Sequence, residues 1–268
     1  GAPLSVAKFG SDEQKEKYIP GWIEGKKMSF FAMTESNTGS DVASMKTHAV
    51  DKGDHWELNG SKMWITNAHV GDAGLLYAYT DREKGNKGLS CFIIEPKNME
   101  GITSKAIETK LGLHCSPTGE FVFEAAKIPK DALLGELNDG FKMCMWQLGN
   151  TRIGCAAGAL GVAGGALKHA IRYANERTQF GKPISKHQMV QAQIAEMTIE
   201  HQAAQMLVYK AAWLKDQGKP SQYETSVAKL FASEAAVHAA NEAMKIFGSF
   251  GFSTEYPAER YYRDAKSL

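Results

Sequence analysis

The sequence predicts an α+β fold: a central antiparallel β-barrel domain followed by an antiparallel helical bundle, with the end of an N-terminal helical domain in front. Three observations carry this. Residues 28–137 hold short strand-forming runs separated by turn residues, with no helical period between them. From Asp139 onward, apolar residues recur at helical spacing through Phe141–Asn175, His187–Gln217 and Gln222–Phe247. Gly181-Lys182-Pro183 and Gly218-Lys219-Pro220 interrupt that period, and short breaks between long helices favour an antiparallel bundle. The expected domain limits are 1–27, 28–137 and 138–268.

Taken in order, Ser11-Asp12-Glu13 is a helix start, and the helix runs on to Pro20. Phe30–Met33 is a short apolar strand that breaks at Thr34 into a polar loop ending in Gly39-Ser40-Asp41. Such a loop offers hydroxyls and free backbone N–H groups to a planar heteroaromatic or a phosphate; it equally suits an ordinary strand-to-turn junction. Asn59-Gly60, flanked by strand formers from Trp56 to Trp64, reads as a hairpin turn. Leu75–Thr80, Leu89–Glu95 and Glu120–Phe123 are further strands, and Gly85-Asn86-Lys87-Gly88 is a turn. About seven strands without helices between them imply a barrel or sandwich. In the helical half, Ala211, Trp213, Leu214, Leu230, Phe231 and Val237 are expected to form the bundle core.

Composition narrows the function. A net charge of +1, from 31 basic and 30 acidic residues, gives no electrostatic reason for nucleic acid or an anionic membrane as partner. Ile153–Leu167 is uncharged, but its 15 residues fall short of the roughly 20 that a spanning helix needs. Its many Gly and Ala residues indicate a buried helix with close backbone approach. The four cysteines form no CxxC pair and no metal-ligand spacing, which points to free thiols in a reducing compartment. The chain opens on Gly1-Ala2-Pro3 without a Met, so a longer N-terminus is expected.

Familiar catalytic templates fail. Gly158–Gly165 lies within a helical run and lacks the βαβ frame of a dinucleotide fingerprint. Ser40, Asp41 and His48 lie too close along one loop and strand for a triad, and His114-Cys115 reads as a turn. What remains is a set of polar groups at helix ends: Asn150-Thr151-Arg152, Arg177–Gly181, His187-Gln188 and Gly248–Thr254. Each alone reads as a cap or a dipole-balancing charge. Together, Arg, amide, hydroxyl and glycine groups suit a diphosphate and a purine.

The segments Met33–Asp41, Asn59–Asn67, Glu176–Gly181, Thr254–Pro257 and Arg263–Lys266 are similar, in order and spacing, to the acyl-CoA dehydrogenase family of flavoproteins. The similarity extends over essentially the whole chain. It implies FAD as cofactor and α,β-dehydrogenation of an acyl-CoA thioester, with a proton taken from the α-carbon and a hydride passed to flavin N5. Phe31, Met33, Thr34, Gly39 and Ser40 would line the flavin, with Thr34 bonded to the pyrimidine ring. Trp64, Ile65 and Thr66 would cover it, Thr66 reaching N5. Arg177, Gln179, Phe180, His187, Gln188, Lys245, Ile246, Gly248 and Ser249 would bind the diphosphate and adenosine of a FAD held mainly by a neighbouring subunit. Ser40, Gly149, Asn150 and Arg152 would border the acyl-CoA.

The resemblance further implies a homotetramer, an electron-transferring flavoprotein as electron acceptor, and a bacterial cytoplasmic or mitochondrial matrix setting. It implies a short-chain, dicarboxylic or alicyclic substrate. The family's catalytic Glu is expected just beyond Leu268, and the alternative helix-borne position holds Thr151, so no catalytic residue is assigned within the chain. Ser36 stands where the family commonly has Pro, and Lys245 where Gln is usual. Kept beside the dehydrogenase are an acyl-CoA oxidase or enoyl-CoA reductase on the same scaffold and a non-enzymatic nucleic-acid-binding relative.

Overall fold

The computed structural model describes residues 1–268, which divide into two compact units. One contains residues 1–110 and 114–148; the other contains 111–113 and 149–268. No helix is long and apolar enough to cross a membrane.

The first unit opens with α1 (Ala2–Phe9) and α2 (Asp12–Ile23). Ser11 caps α2 reciprocally with Gln14, each side chain bonding the other's backbone N–H. The helix does not stop at Pro20; it carries on for three residues and ends at Ile23. The strands are β1 (Phe31–Ala32), β2 (His48–Asp51), β3 (His55–Thr66), β4 (Gly74–Tyr79), β5 (Leu89–Ile94), β6 (Ile102–Ala106) and β7 (Thr118–Pro129). They form one sheet in the order β1-β4-β2-β3-β7-β6, with β5 also on β4.

This sheet corrects the expected antiparallel barrel in two ways. It is mixed, because β1 and β2 both run parallel to β4. It is also open, because no ladder joins β6 back to β5 or β1. The sheet curls without closing. Trp56 meets Phe92 at 5.5 Å between ring centroids, and Phe30 meets Phe121 at 5.0 Å, so β3, β5 and β7 share one apolar cluster. Leu75, Tyr77, Cys91 and Ile93 face a second cluster, built with α1, α2 and the Met143–Cys144 turn of the next helix. β4 and β5 are therefore buried on both faces, which explains their continuous apolar runs. Side chains such as Phe92, Phe121, Leu58 and Ile128 are fully buried, each stabilising the unit by about 1.5–3 kcal/mol.

Asn59-Gly60 is not a hairpin turn. β3 runs straight through it, and the β2–β3 reversal is made at Lys52-Gly53-Asp54, where Gly53 has φ 93°. Asn59 instead faces a bulge on β7, its Oδ1 accepting the Ala125 N–H at 2.8 Å. The bulge resets the alternation, so Phe121 and Phe123 before it and Ala126 and Ile128 after it all point inward.

The helical unit is built from α3 (Gly140–Glu176, entering the unit at Gly149), α4 (Gln188–Asp216), α5 (Gln222–Phe247) and α6 (Ala258–Ala265). The small strands β8 (Thr178–Gln179) and β9 (Lys182–Pro183) form a hairpin between α3 and α4. The core is alanine: Ala156, Ala163 and Ala170 of α3, Ala204 and Ala211 of α4, and Ala228, Ala232 and Ala239 of α5 belong to one buried cluster. Small contact residues let helix backbones come close, so larger side chains are displaced outward. That is why Trp213 (55% exposed), Leu230 (64%) and Phe231 lie on the surface, contrary to expectation, while Ala211 is buried. Arg263 and Asp264 of α6 hold residues 111–113: the guanidinium donates to the Leu111 carbonyl at 3.1 Å, and the carboxylate accepts the Leu113 N–H at 2.7 Å.

Candidate active site

The site in the first unit begins with a second bulge. Between Lys62 and Ile65, β3 sets two residues, Met63 and Trp64, against one on β7. Trp64 takes a left-handed backbone, φ 62°, which an indole-bearing residue rarely adopts. Bulges re-aim side chains, and this one turns Trp64 outward to 54% exposure while Lys62 and Ile65 both stay buried. The Met63 N–H leaves the ladder and donates to the Thr34 carbonyl at 2.8 Å. The bulge is thereby stitched to the loop after β1.

The result is a groove of about 370 Å³ lined by Phe31, Thr34, Trp64, Ile65 and Thr66, with Ser29, Phe30 and the first two residues of the chain. Five residues expected to contact a flavin thus meet in one place. Met33, by contrast, is buried with its Sδ 3.4 Å from Cys144 Sγ, and it offers the loop a backbone carbonyl only. Gly39 and Ser40 are exposed on the turn beyond and do not line the groove.

Sequence reasoning missed what holds the loop. Glu35 is buried, and its carboxylate accepts from the Lys46 N–H at 2.6 Å, the Thr47 N–H at 3.0 Å and the Thr47 hydroxyl at 2.6 Å. Lys62, fully buried, donates to Glu35 Oε1 at 3.0 Å and to the Met33 carbonyl at 2.9 Å. Burial would raise the Glu35 carboxyl, but the Lys62 ammonium, the Thr47 hydroxyl and two backbone N–H groups hold it below the usual range. Burial pulls Lys62 down against the attraction of the same carboxylate. The signal was present in the alternation of β3, where Lys62 falls in phase with Trp56 and Leu58 on the inward face.

In the helical unit, Arg177 follows α3, its guanidinium 5.7 Å from the Phe250 ring centroid. Phe250 belongs to the Gly248–Phe252 turn after α5, so Arg177 and the Gly248-Ser249 segment are neighbours. Stacking of Tyr173 on Phe247 at 4.2 Å and contacts of Tyr256 with both Phe247 and Phe250 fix that turn; this aromatic cluster also escaped the sequence reading. Gln179, Phe180 and His187 share the β8–β9 hairpin region. Phe180 sits at its tip with φ 53° and 94% exposure, edge-on to His187 at 5.9 Å, while the His187 Nε2 lies 3.3 Å from the Gln179 carbonyl. Gln188 opens α4 and is exposed.

Lys245 pairs with buried Glu242, and the Ile246 side chain lies in the bundle core, leaving only its backbone to any ligand. Gly149 lies within α3 with nothing near a Cβ position. The Asn150 carbonyl accepts from Lys215 at 3.5 Å, and Arg152 donates to Ser226 at 3.3 Å.

The buried carboxylates predict an acid limb. Glu242 is desolvated, which would raise it, yet Lys245, Gln193 and His238 hold it below the usual range. Carboxyls depressed in the folded state contribute stability that is present above their unfolded value near 4.5 and lost as pH falls through the folded one. Melting temperature is therefore expected to fall steeply below pH 4.5. Glu242→Gln should flatten that limb in thermal melts between pH 3 and 6, whereas an unchanged slope would remove Glu242 from the account.

Residues 30–126 match the middle domain of acyl-CoA dehydrogenase, and residues 138–268 match its C-terminal domain. The chain belongs to the acyl-CoA dehydrogenase family. It is 47% identical over 266 residues to glutaryl-CoA dehydrogenase of Desulfococcus multivorans, covering 99% of this chain and 68% of that protein. It superposes on a chain from the solved structure of the electron transferring flavoprotein of Acidaminococcus fermentans with a TM-score of 0.96. Identity there is 45%, over 99% of this chain and 70% of that one. Butyryl-CoA dehydrogenase from Megasphaera elsdenii gives a TM-score of 0.95 at 43% identity, over 99% and 69%. The chain thus spans roughly two thirds of the length of these relatives. Acyl-CoA dehydrogenases are FAD-dependent oxidoreductases.

Proposed function

We propose that this chain is the flavin- and thioester-binding part of a FAD-dependent acyl-CoA dehydrogenase acting on short-chain or dicarboxylic acyl-CoA. The observation that carries the reading is the groove in which Phe31, Thr34, Trp64, Ile65 and Thr66 converge. The lining fits an isoalloxazine: two hydroxyls that would hydrogen-bond its polar edges, an exposed indole, and apolar Phe31 and Ile65. When bound, FAD supplies the acceptor for the hydride that leaves the β-carbon as the α-proton is removed.

The chain's own residues bind and orient. Thr34 and Thr66 would offer hydrogen bonds to the ring, Trp64 would cover one face of it, and the apolar lining would exclude water. Within the first unit, Ser40 is assigned to the thioester and Gly39 to the flavin, and Met33 shapes the loop from within; within the helical unit, Gly149, Asn150 and Arg152 are assigned to the acyl-CoA. No general base is assigned among residues 1–268. Arg177, Gln179, Phe180, His187, Gln188, Lys245, Gly248, Ser249 and the Ile246 backbone serve the diphosphate and adenosine of a cofactor shared with a second subunit. Exposed Ile199, Met206 and Trp213 recur every seventh residue on α4, a stripe suited to another copy of the helix and in keeping with a homotetramer. An electron-transferring flavoprotein would take the electrons, and the likeness to a chain in such a structure supports it. Four unpaired cysteines fit a reducing compartment, bacterial cytoplasm or mitochondrial matrix.

The test is to prepare the full-length protein loaded with FAD and to add butyryl-CoA and glutaryl-CoA anaerobically. Bleaching of the visible flavin band is expected; a band unmoved by any short acyl-CoA would overturn the reading.

A further inference from the structure

The charged groups buried under the groove take no part in the roles just described, and each links to the groove wall. Lys62 is fully buried, and its ammonium reaches the Met33 carbonyl and the Glu35 carboxylate, the residues immediately before and after Thr34. The same lysine stands two residues before Trp64, within the irregular stretch of β3 that exposes the indole. Between them, the Met63 N–H holds the Thr34 carbonyl at 2.8 Å. Glu35 extends the tie to the backbone of Lys46 and Thr47, and the Thr47 hydroxyl returns to β3 through the Ser61 carbonyl at 3.1 Å. One lysine thus fixes both walls of the groove relative to each other.

Resting on the flavin reading of this groove, we propose that Lys62 and Glu35 form a buried positioning pair that sets the spacing of Thr34 and Trp64 for the flavin ring. Neither side chain lines the groove, so neither is a catalytic residue; they act through the residues they hold. A pair serving only the fold would be replaceable by neutral side chains of similar shape with stability and binding moving together. A positioning pair separates the two, because the ring detects small displacements of its walls that the melting temperature does not.

The experiment compares Lys62→Met, Glu35→Gln and the double variant with the unmodified FAD-loaded protein. Lys130→Met serves as control, because Lys130 pairs with Asp51 on the exposed surface of the same unit. Three quantities are read: the FAD dissociation constant by fluorescence, the band shape and reduction potential of bound flavin, and the melting temperature. The single variants are expected to raise the dissociation constant at least tenfold and to change the visible band. The double variant should retain the weakened binding even where its melting temperature recovers, and the control should match the unmodified protein throughout. Where Lys62→Met does not fold, Glu35→Gln and the double variant decide. FAD affinity within twofold of the unmodified protein, with an unaltered band, would overturn this inference alone. Failure of the unmodified protein to take up FAD would overturn the functional reading with it.

Discussion

Replacing Trp64 by glycine is expected to weaken FAD binding about thirtyfold while leaving the fold as stable as before. The two halves of that expectation have separate causes. Trp64 occupies a left-handed backbone at φ 62°, a conformation that costs a bulky residue roughly 1–3 kcal/mol and a glycine almost nothing. Glycine relieves that cost, and its greater freedom in the unfolded chain returns about 0.5–1 kcal/mol of the gain. The indole is 54% exposed, so the unit loses little packing when it goes. What goes with it is the aromatic face over the ring, about 2 kcal/mol of contact, hence the thirtyfold. Melting temperature and FAD titration on the same preparation check both halves. A falling melting temperature with unchanged affinity would show that the exposed indole serves the fold.

Gly60→Val should act in the opposite sense, on stability first. Gly60 has φ 138°, and a Cβ there would stand 2.7 Å from both Thr47 Cα and Thr47 Oγ1. Neither contact can be accommodated by rotating a side chain, because one partner is backbone and the other is bonded to buried Glu35. Backbone strain and overpacking together give about 4 kcal/mol of destabilisation. In a unit of this size that lowers the melting temperature by roughly 10 °C. Because Thr47 moves, Glu35 loses the Thr47 N–H and hydroxyl as donors, so surviving protein should also bind FAD less well. A variant melting within about 2 °C of the original would mean that β3 and β2 separate easily at this point, contrary to the close approach seen here.

Much of the helical half was legible in sequence, and for a definite reason. Helical period and Gly-Lys-Pro breaks are local, and α3, α4 and α5 begin and end within a residue or two of the expected positions. The side chains facing inward were less legible. Trp213 and Leu230 share the apolar period with the alanines, and only the close packing of α4 against α5 selects alanine for the contact. The Asn59-Gly60 reading failed similarly: the pair offers a turn locally, but the ladder to β7 on both sides of a bulge keeps Asn59 and Gly60 within one strand. The direction of β1 and β2 beside β4 is set by long-range ladders that no local pattern encodes.

Residue order alone was enough to specify the strand-then-helix plan, the polar loop after Phe31 and the motifs that place the chain among acyl-CoA dehydrogenases, since each depends on neighbours a few positions apart. Folding decided that Lys62 would lie beneath Thr34, that Trp64 would be turned outward by a bulge, and that Arg177 would stand beside Phe250. Those outcomes join groups separated by tens of residues. A buried charge, a strained backbone and an aromatic stack are tolerated only where the surrounding packing holds both partners in place.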